Sequence, residues 1–230
     1  MPSWTSRSAR SPDRSLAGQV FRYVYLDATY CKARVNHRVV SQAVVVATGI
    51  TADGRREVLG FDVGDSEDGA FWTAFLRSLK TRGLGGVQLV ISDAHTGLKA
   101  AIAAVFVGAG WQRCRVHFLR NVLAQVPKGH SEMVAAAVRT IFAQPDPAHV
   151  RDQLDTIAGM LGRQFPKVET QLIAAKVDVT AFADFPVSHW KEDLVYQPAG
   201  SASTKKSNAA PTSSGCSPTL PRCSASPAPS

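Results

Sequence analysis

The chain has 230 residues, 45% of them apolar, enough to bury a sizeable core in one domain or in one domain with an appendage. Its formal charge of +8 favours polyanionic partners, because lysine and arginine near phosphates release condensed counterions. No stretch approaches the ~20 apolar residues of a membrane span, and the four cysteines form no closely spaced framework, so a membrane protein and a disulfide scaffold are excluded and the reducing cytoplasm is expected.

Residues 1–19 are rich in serine, arginine and proline and read as a disordered leader, with structure expected from about Val20. Three strands are expected at 21–30, 39–48 and 56–63, rich in Val, Tyr and Phe, with Asp53-Gly54 as a hairpin turn between the last two. Ser66 is the expected N-cap of a helix over 66–81, with Glu67 and Asp68 in its first turn and Phe71, Trp72, Phe75, Leu76 and Leu79 on one side. A fourth strand at 87–91, a second helix at 96–106 and a fifth strand at 111–116 complete the series. The order β-β-β-α-β-α-β predicts an α/β ribonuclease-H-like core over 20–117, a mixed sheet in which an antiparallel meander joins parallel strands through helical crossovers.

Beyond His117 only helical periodicity remains. Helices are expected at 118–126 and 131–142, then one capped by Asp146 with Pro147 at its first position, then one opened by Pro166, so that 118–190 form an all-helical block. Residues 191–230 are different in kind: serine- and proline-rich and almost without large apolar side chains, they cannot offset ordering entropy and are expected to be disordered. Cys216 and Cys223 have no companion histidines and make no zinc site.

Two carboxylates stand out. Asp27 follows the apolar run 21–26 and Asp93 the run 87–92, each at the expected end of a strand. A lone aspartate in such a place is ordinarily a turn or cap residue. Here the topology allows the first and fourth strands to lie side by side, so the two side chains can meet in one crevice and hold Mg²⁺, with Mn²⁺ as substitute. Asp62, Asp65, Glu67 and Asp68 read instead as loop and helix-start acids. Cys114 and His117 form a C-x-x-H pair without a matching second pair, which suggests a thiol beside a histidine that orients a loop rather than a zinc site. His95 either touches a phosphate or caps its helix. Lys32, Arg34, His37 and Arg38 either line DNA or form an exposed hairpin face.

Five ordered stretches, 26–30 (Leu-Asp-Ala-Thr-Tyr), 39–43, 54–60, 91–98 (Ile-Ser-Asp-Ala-His-Thr-Gly-Leu) and 111–117 (Trp-Gln-Arg-Cys-Arg-Val-His), resemble the bacterial mutator-type insertion-sequence transposases, over about 23–190. The resemblance implies an acidic-triad DNA transposase working on transposon ends and target DNA in the bacterial cytoplasm, associated with the nucleoid. It makes Asp27 and Asp93 the first two acidic metal ligands, gives Cys114 and His117 a structural role, and makes the helical block an insertion before the helix that carries the third carboxylate. Two departures accompany it. The family's N-terminal DNA-binding region has no counterpart before the core, and the third glutamate, expected near 197–203, is replaced by a stretch without any acid. Glu192 and Asp193 precede that position, and the abrupt change of composition suggests a reading-frame shift near 191–193.

Two functions follow as alternatives: a transposase core that cuts and joins DNA by in-line phosphoryl transfer, or an inactive remnant that binds DNA nonspecifically. An unrelated ribonuclease-H-like nuclease fits the fold but neither the helical block nor the five motifs. Whether copies associate into a homo-oligomer is left open.

Overall fold

Strand β1 (Tyr23–Val35) alternates its side chains between two cores, Tyr23 and Tyr25 entering one and Val24 and Leu26 the other. The computed structural model describes residues 14–190 apart from 36, 52 and 65–67. The chain divides into a unit Met1–Pro198 and a unit Ala199–Ser230. The second unit lies outside the described residues, as do the expected disorder of 1–13 and 191–230 and the residues Ser66, Glu67, Glu192, Asp193, Cys216 and Cys223.

β1 pairs antiparallel with β2 (Arg38–Ile50), and β2 with β3 (Arg56–Gly64). On its other side β1 runs parallel to β4 (Leu89–Ser92), which runs parallel to β5 (Gly110–Arg113). The resulting order, β3-β2-β1-β4-β5, is the expected ribonuclease-H-like α/β sheet. One face is covered by α1 (Gly69–Thr81) and α2 (Thr96–Val105), whose Trp72, Phe75, Leu76, Leu98 and Ile102 pack on Val24, Leu26, Val45 and Val90. Gly97 meets the backbone of Gly69, where a Cβ would come within 2.9 Å of the Gly69 nitrogen. Only glycine lets the two helix starts close up in this way.

The other sheet face carries the helical block: α3 (Arg115–Leu123), α4 (Ser131–Ile141), α5 (Pro147–Gly162), α6 (Pro166–Ala174), α7 (Lys176–Thr180) and short turns at Ala181–Asp184 and Val187–His189. It is no loose appendage, because Tyr23, Tyr25, Leu89 and Ile91 share one core with Phe118, Val122, Leu154 and Phe182. The buried Gln112 amide on β5 fastens the join, donating to the Val179 carbonyl at 2.8 Å and accepting from the Phe182 N–H at 2.8 Å. At the far end the Tyr23 hydroxyl meets His189 Nδ1 at 2.6 Å.

Several boundaries differ from the sequence expectation. β1 and β2 are each extended toward one another, and the chain turns at His37, which takes the left-handed φ of 63° without the glycine that marks most such turns. Asp27 therefore lies inside β1 rather than at its end. β5 stops at Arg113; Cys114 stands at the N-cap of α3, and Val116 and His117 lie in its first turn. The physical cause is pairing: β4 ends at Ser92, whose carbonyl takes the Cys114 N–H at 2.7 Å, and beyond it no strand remains to continue the ladder. Asp68 caps α1, its carboxylate accepting from the Phe71 N–H at 2.8 Å. The Asp53-Gly54 turn forms as expected, with Gly54 at φ 77°. Packing begins before Val20: Leu16 is 1% exposed, its N–H donates to the Arg82 carbonyl at 2.6 Å, and Arg14 pairs with Glu57 at 2.8 Å.

Arg115, first residue of α3, lies against the rings of Phe182 and Phe142 at 4.0 and 4.3 Å. Among the described residues none of its guanidinium nitrogens has a hydrogen-bond partner, and burial lowers its pKa to about 10. The cation–π contacts offset only part of the desolvation of such a charge. Because its folded pKa lies below the unfolded value, the group opposes folding at neutral pH, and stability rises as pH climbs from about 10 toward the unfolded value. Arg115→Met is therefore expected to raise the midpoint of thermal unfolding, as read by circular dichroism. Leu16→Ala is expected to lower stability by about 2 to 5 kcal/mol in urea titrations; an unchanged midpoint would show that the segment before Val20 does not pack.

Candidate active site

Non-local pairing of β1 with β4 brings the two aspartates toward one place. The parallel register matches Tyr23 with Leu89, Val24 with Val90 and Tyr25 with Ile91; Asp27 follows the last pair by two residues within β1, and Asp93 follows it by two residues just past the end of β4. Asp27 is in phase with Tyr25, which faces the helical block. Both aspartates line a cleft of about 260 Å³ whose wall includes His95, Arg113, His117 and Asn121 and whose apolar part is Leu26, Trp72 and Leu98. Each carboxylate is half-buried, and each Oδ1 accepts the N–H of the next residue, Ala28 at 3.1 Å and Ala94 at 2.7 Å. The turn-like local bond and the shared cleft thus coexist, and the bond holds each side chain in one orientation.

His95 is the N-cap of α2, with Nδ1 accepting from the Leu98 N–H at 3.3 Å. The cap reading of this residue holds, and its exposed ring also lines the cleft. In the neutral ring an accepting Nδ1 leaves the proton on Nε2, a donor. His117 and Asn121 sit one turn apart on α3, so both reach the cleft. The Cys114 thiol is the foremost cause raising the His117 pKa above the ordinary histidine value. Partial burial opposes it, and the charges of Asp93 and Asp27 add to the rise. The C-x-x-H pair therefore ends in the cleft itself, with its histidine in the field of both carboxylates.

Arg113 and Asn121 were not singled out in the sequence. Arg113 stands in the Trp-Gln-Arg-Cys-Arg-Val-His stretch, and Asn121 is readable only once α3 is known to start at Arg115, which sets it a helical turn after His117. Lys32, Arg34 and Arg38 do not line the cleft; they are exposed further along the β1–β2 hairpin. Asp62 is exposed on β3, where it accepts the Val63 N–H at 2.8 Å. Among the described residues no group of three or more His, Cys, Asp or Glu side chains is placed to hold a metal, and no helix is long and apolar enough to cross a membrane.

The family described as transposases of the Mutator family matches residues 9–196. The chain belongs to this family. It is 42% identical over 179 residues to the transposase for insertion sequence element IS1081 of Mycobacterium tuberculosis, covering 78% of this chain and 43% of that protein. It is 45% identical over 134 residues to the transposase for insertion sequence element IS256 in transposon Tn4001 of Staphylococcus aureus, covering 58% of this chain and 34% of that protein. The chain thus spans less than half the length of these relatives. Among solved structures, the catalytic core domain of BIV integrase overlays 68% of this chain and 81% of its own at 14% identity and a TM-score of 0.27. The Drosophila P element transposase strand transfer complex overlays 70% of this chain and 43% of its own at 13% identity and a TM-score of 0.28. These overlays are too loose to carry detail, and the fold stands on its own strand order.

With its folded pKa raised, His117 contributes stability that is fully present below the unfolded value near ~6.5 and is lost as pH rises through the folded midpoint. A histidine ring titration by NMR is expected to show a midpoint above the ordinary value. Cys114→Ala should lower it most, Asp93→Asn less and Asp27→Asn least; an unshifted midpoint in all three would remove these contacts as its cause.

Proposed function

We propose that this chain is the catalytic core of a DNA transposase that cleaves and joins strands by in-line phosphoryl transfer, with Asp27 and Asp93 as its metal-holding carboxylates. One observation carries the reading: two acids far apart in sequence, Asp27 within β1 and Asp93 just past the end of the adjacent parallel β4, line one cleft together with Arg113 and His117. Residues 20–117 form the catalytic core in this reading and 118–190 an insertion. Transposon ends and target DNA are the substrates, met at the nucleoid in the bacterial cytoplasm.

The donors present suit a hard divalent cation. Mg²⁺ commonly takes one or two protein carboxylates and completes its shell with waters and substrate phosphate oxygens, and Mn²⁺ can replace it. When bound, such ions polarise the phosphoryl group and ease deprotonation of an attacking water or 3′-hydroxyl. The chain's own residues do the positioning. Arg113 and protonated His117 offer positive charge to a phosphate at the cleft, while the Asn121 amide and the His95 Nε2–H offer donors that orient it. Trp72 and Leu98 bound the cleft with apolar surface that limits water. Cys114 acts through His117, holding its ring and its proton.

A second reading, an inactive remnant that binds DNA through its basic surface, is favoured by a separate observation. The described residues bring only two carboxylates to the cleft, and no acid stands between 197 and 203. Loss of one member of a catalytic set ordinarily costs orders of magnitude in rate.

A strand-transfer assay with element-end DNA and Mg²⁺ separates the two. Joined product that disappears in Asp93→Ala supports the enzyme, and salt-sensitive binding without any cleavage supports the remnant. The metal site has its own readout: Mn²⁺ is expected to broaden the His117 ring signals in the wild type and to leave them sharp in Asp27→Asn/Asp93→Asn.

A further inference from the structure

The β1–β2 hairpin outruns the sheet it belongs to. β4 pairs with β1 only from Tyr23 to Tyr25, and β3 pairs with β2 only from Ala43 to Ile50, yet β1 and β2 stay paired out to Val35 and Arg38. From Cys31 to Gln42 the hairpin is thus a two-stranded ribbon with no third strand on either edge among the described residues. Cross-strand pairing places Lys32 with Ser41 and Arg34 with Val39 on the face that also carries Tyr30. These side chains are exposed, Tyr30 at 52% and Val39 at 63%, and Arg38 is exposed at the tip. No acidic residue occurs between Asp27 and Asp53. An isolated two-stranded ribbon is marginal in water, so a ribbon this long, basic on one face and uncovered, suits a polyanionic partner.

We infer that this ribbon is an arm that grips duplex DNA in its major groove, on the same duplex whose phosphate occupies the Asp27–Asp93 cleft. The inference rests on the proposed function and names how its substrate is held. The major groove, ~12 Å wide, admits a two-stranded β-ribbon. Because β1 continues unbroken from Asp27 to Val35, the tip stands roughly 26 Å from the cleft at ~3.3 Å per residue. That reach corresponds to about 8 base pairs at ~3.4 Å each. Lys32, Arg34 and Arg38 contact phosphates along the groove walls, and Tyr30 and Val39 supply apolar surface between them.

The test uses the full chain and a fluorescent element-end duplex, with affinity read by anisotropy across a salt series in the absence of divalent metal. Lys32→Ala/Arg34→Ala/Arg38→Ala is compared with a charge-matched control on the exposed surface of the helical block, Lys128→Ala/Arg163→Ala/Lys167→Ala. The ribbon variant is expected to bind about tenfold or more weakly and to lose about 3 from the slope of log affinity against log salt, since each phosphate contact contributes ~0.9. A ribbon variant that loses no more than the control overturns the proposal while leaving the transposase reading in place. A wild type that fails to bind the duplex at all overturns both. As a second readout, a photo-crosslinking amino acid in place of Val39 is expected to label bases about 8 pairs from the joined end; labelling spread evenly along the duplex overturns the placement.

Discussion

Three residue pairs, Tyr23 with Leu89, Val24 with Val90 and Tyr25 with Ile91, join β1 to β4, and the arrangement of the cleft depends on them. Both strands are buried on both faces at this point, so their register is held by two cores at once. A slip of one residue would carry Tyr25 into the layer under α1 and α2 and Leu26 into the helical block, exchanging every side chain between the cores. Such a slip would also offset Asp27 from Asp93 by one residue. The convergence of the two carboxylates is therefore a by-product of apolar packing, fixed by side chains that carry no chemistry themselves.

The first turn of α3 shows how strongly position decides what a cation does. Arg115 turns into the aromatic layer, lies against Phe142 and Phe182 without a hydrogen-bond partner among the described residues, and has its pKa lowered to about 10 by burial. His117, two residues on, faces the cleft, and Cys114 together with the two aspartates raises its pKa. One group meets a medium that resists charge, the other meets acceptors and negative charge that favour it. The helix start thus delivers one cation to the site and another to the core.

Much of this architecture was legible in the sequence. Alternating and helical periodicity marked all five strands and the two helices of the core, and the identical pattern of an apolar run ending in aspartate singled out Asp27 and Asp93. What was misread had physical causes. Residues 111–116 look like a continuous strand because nothing in them breaks one; β5 stops only because β4 has no further residue to pair with. The turn at His37 carries no glycine, so local pattern alone marks two shorter strands where the ribbon stands. Leu16 sits in a polar stretch, and its burial follows from joining a core, and a hydrogen bond to the Arg82 carbonyl, that are remote in the chain.

The sequence by itself determined which residues can carry chemistry, the order of the elements and the basic character of the first hairpin, because those follow from residue type and local period. It also placed the chain by resemblance in the transposase lineage. Only the tertiary structure decided that Asp27 and Asp93 share a cleft with Arg113, His117 and Asn121, and that Lys32, Arg34 and Arg38 stand away from it on a free ribbon. Those outcomes depend on non-local pairing and on which core each strand face enters, and neither has a signature within any single stretch of residues.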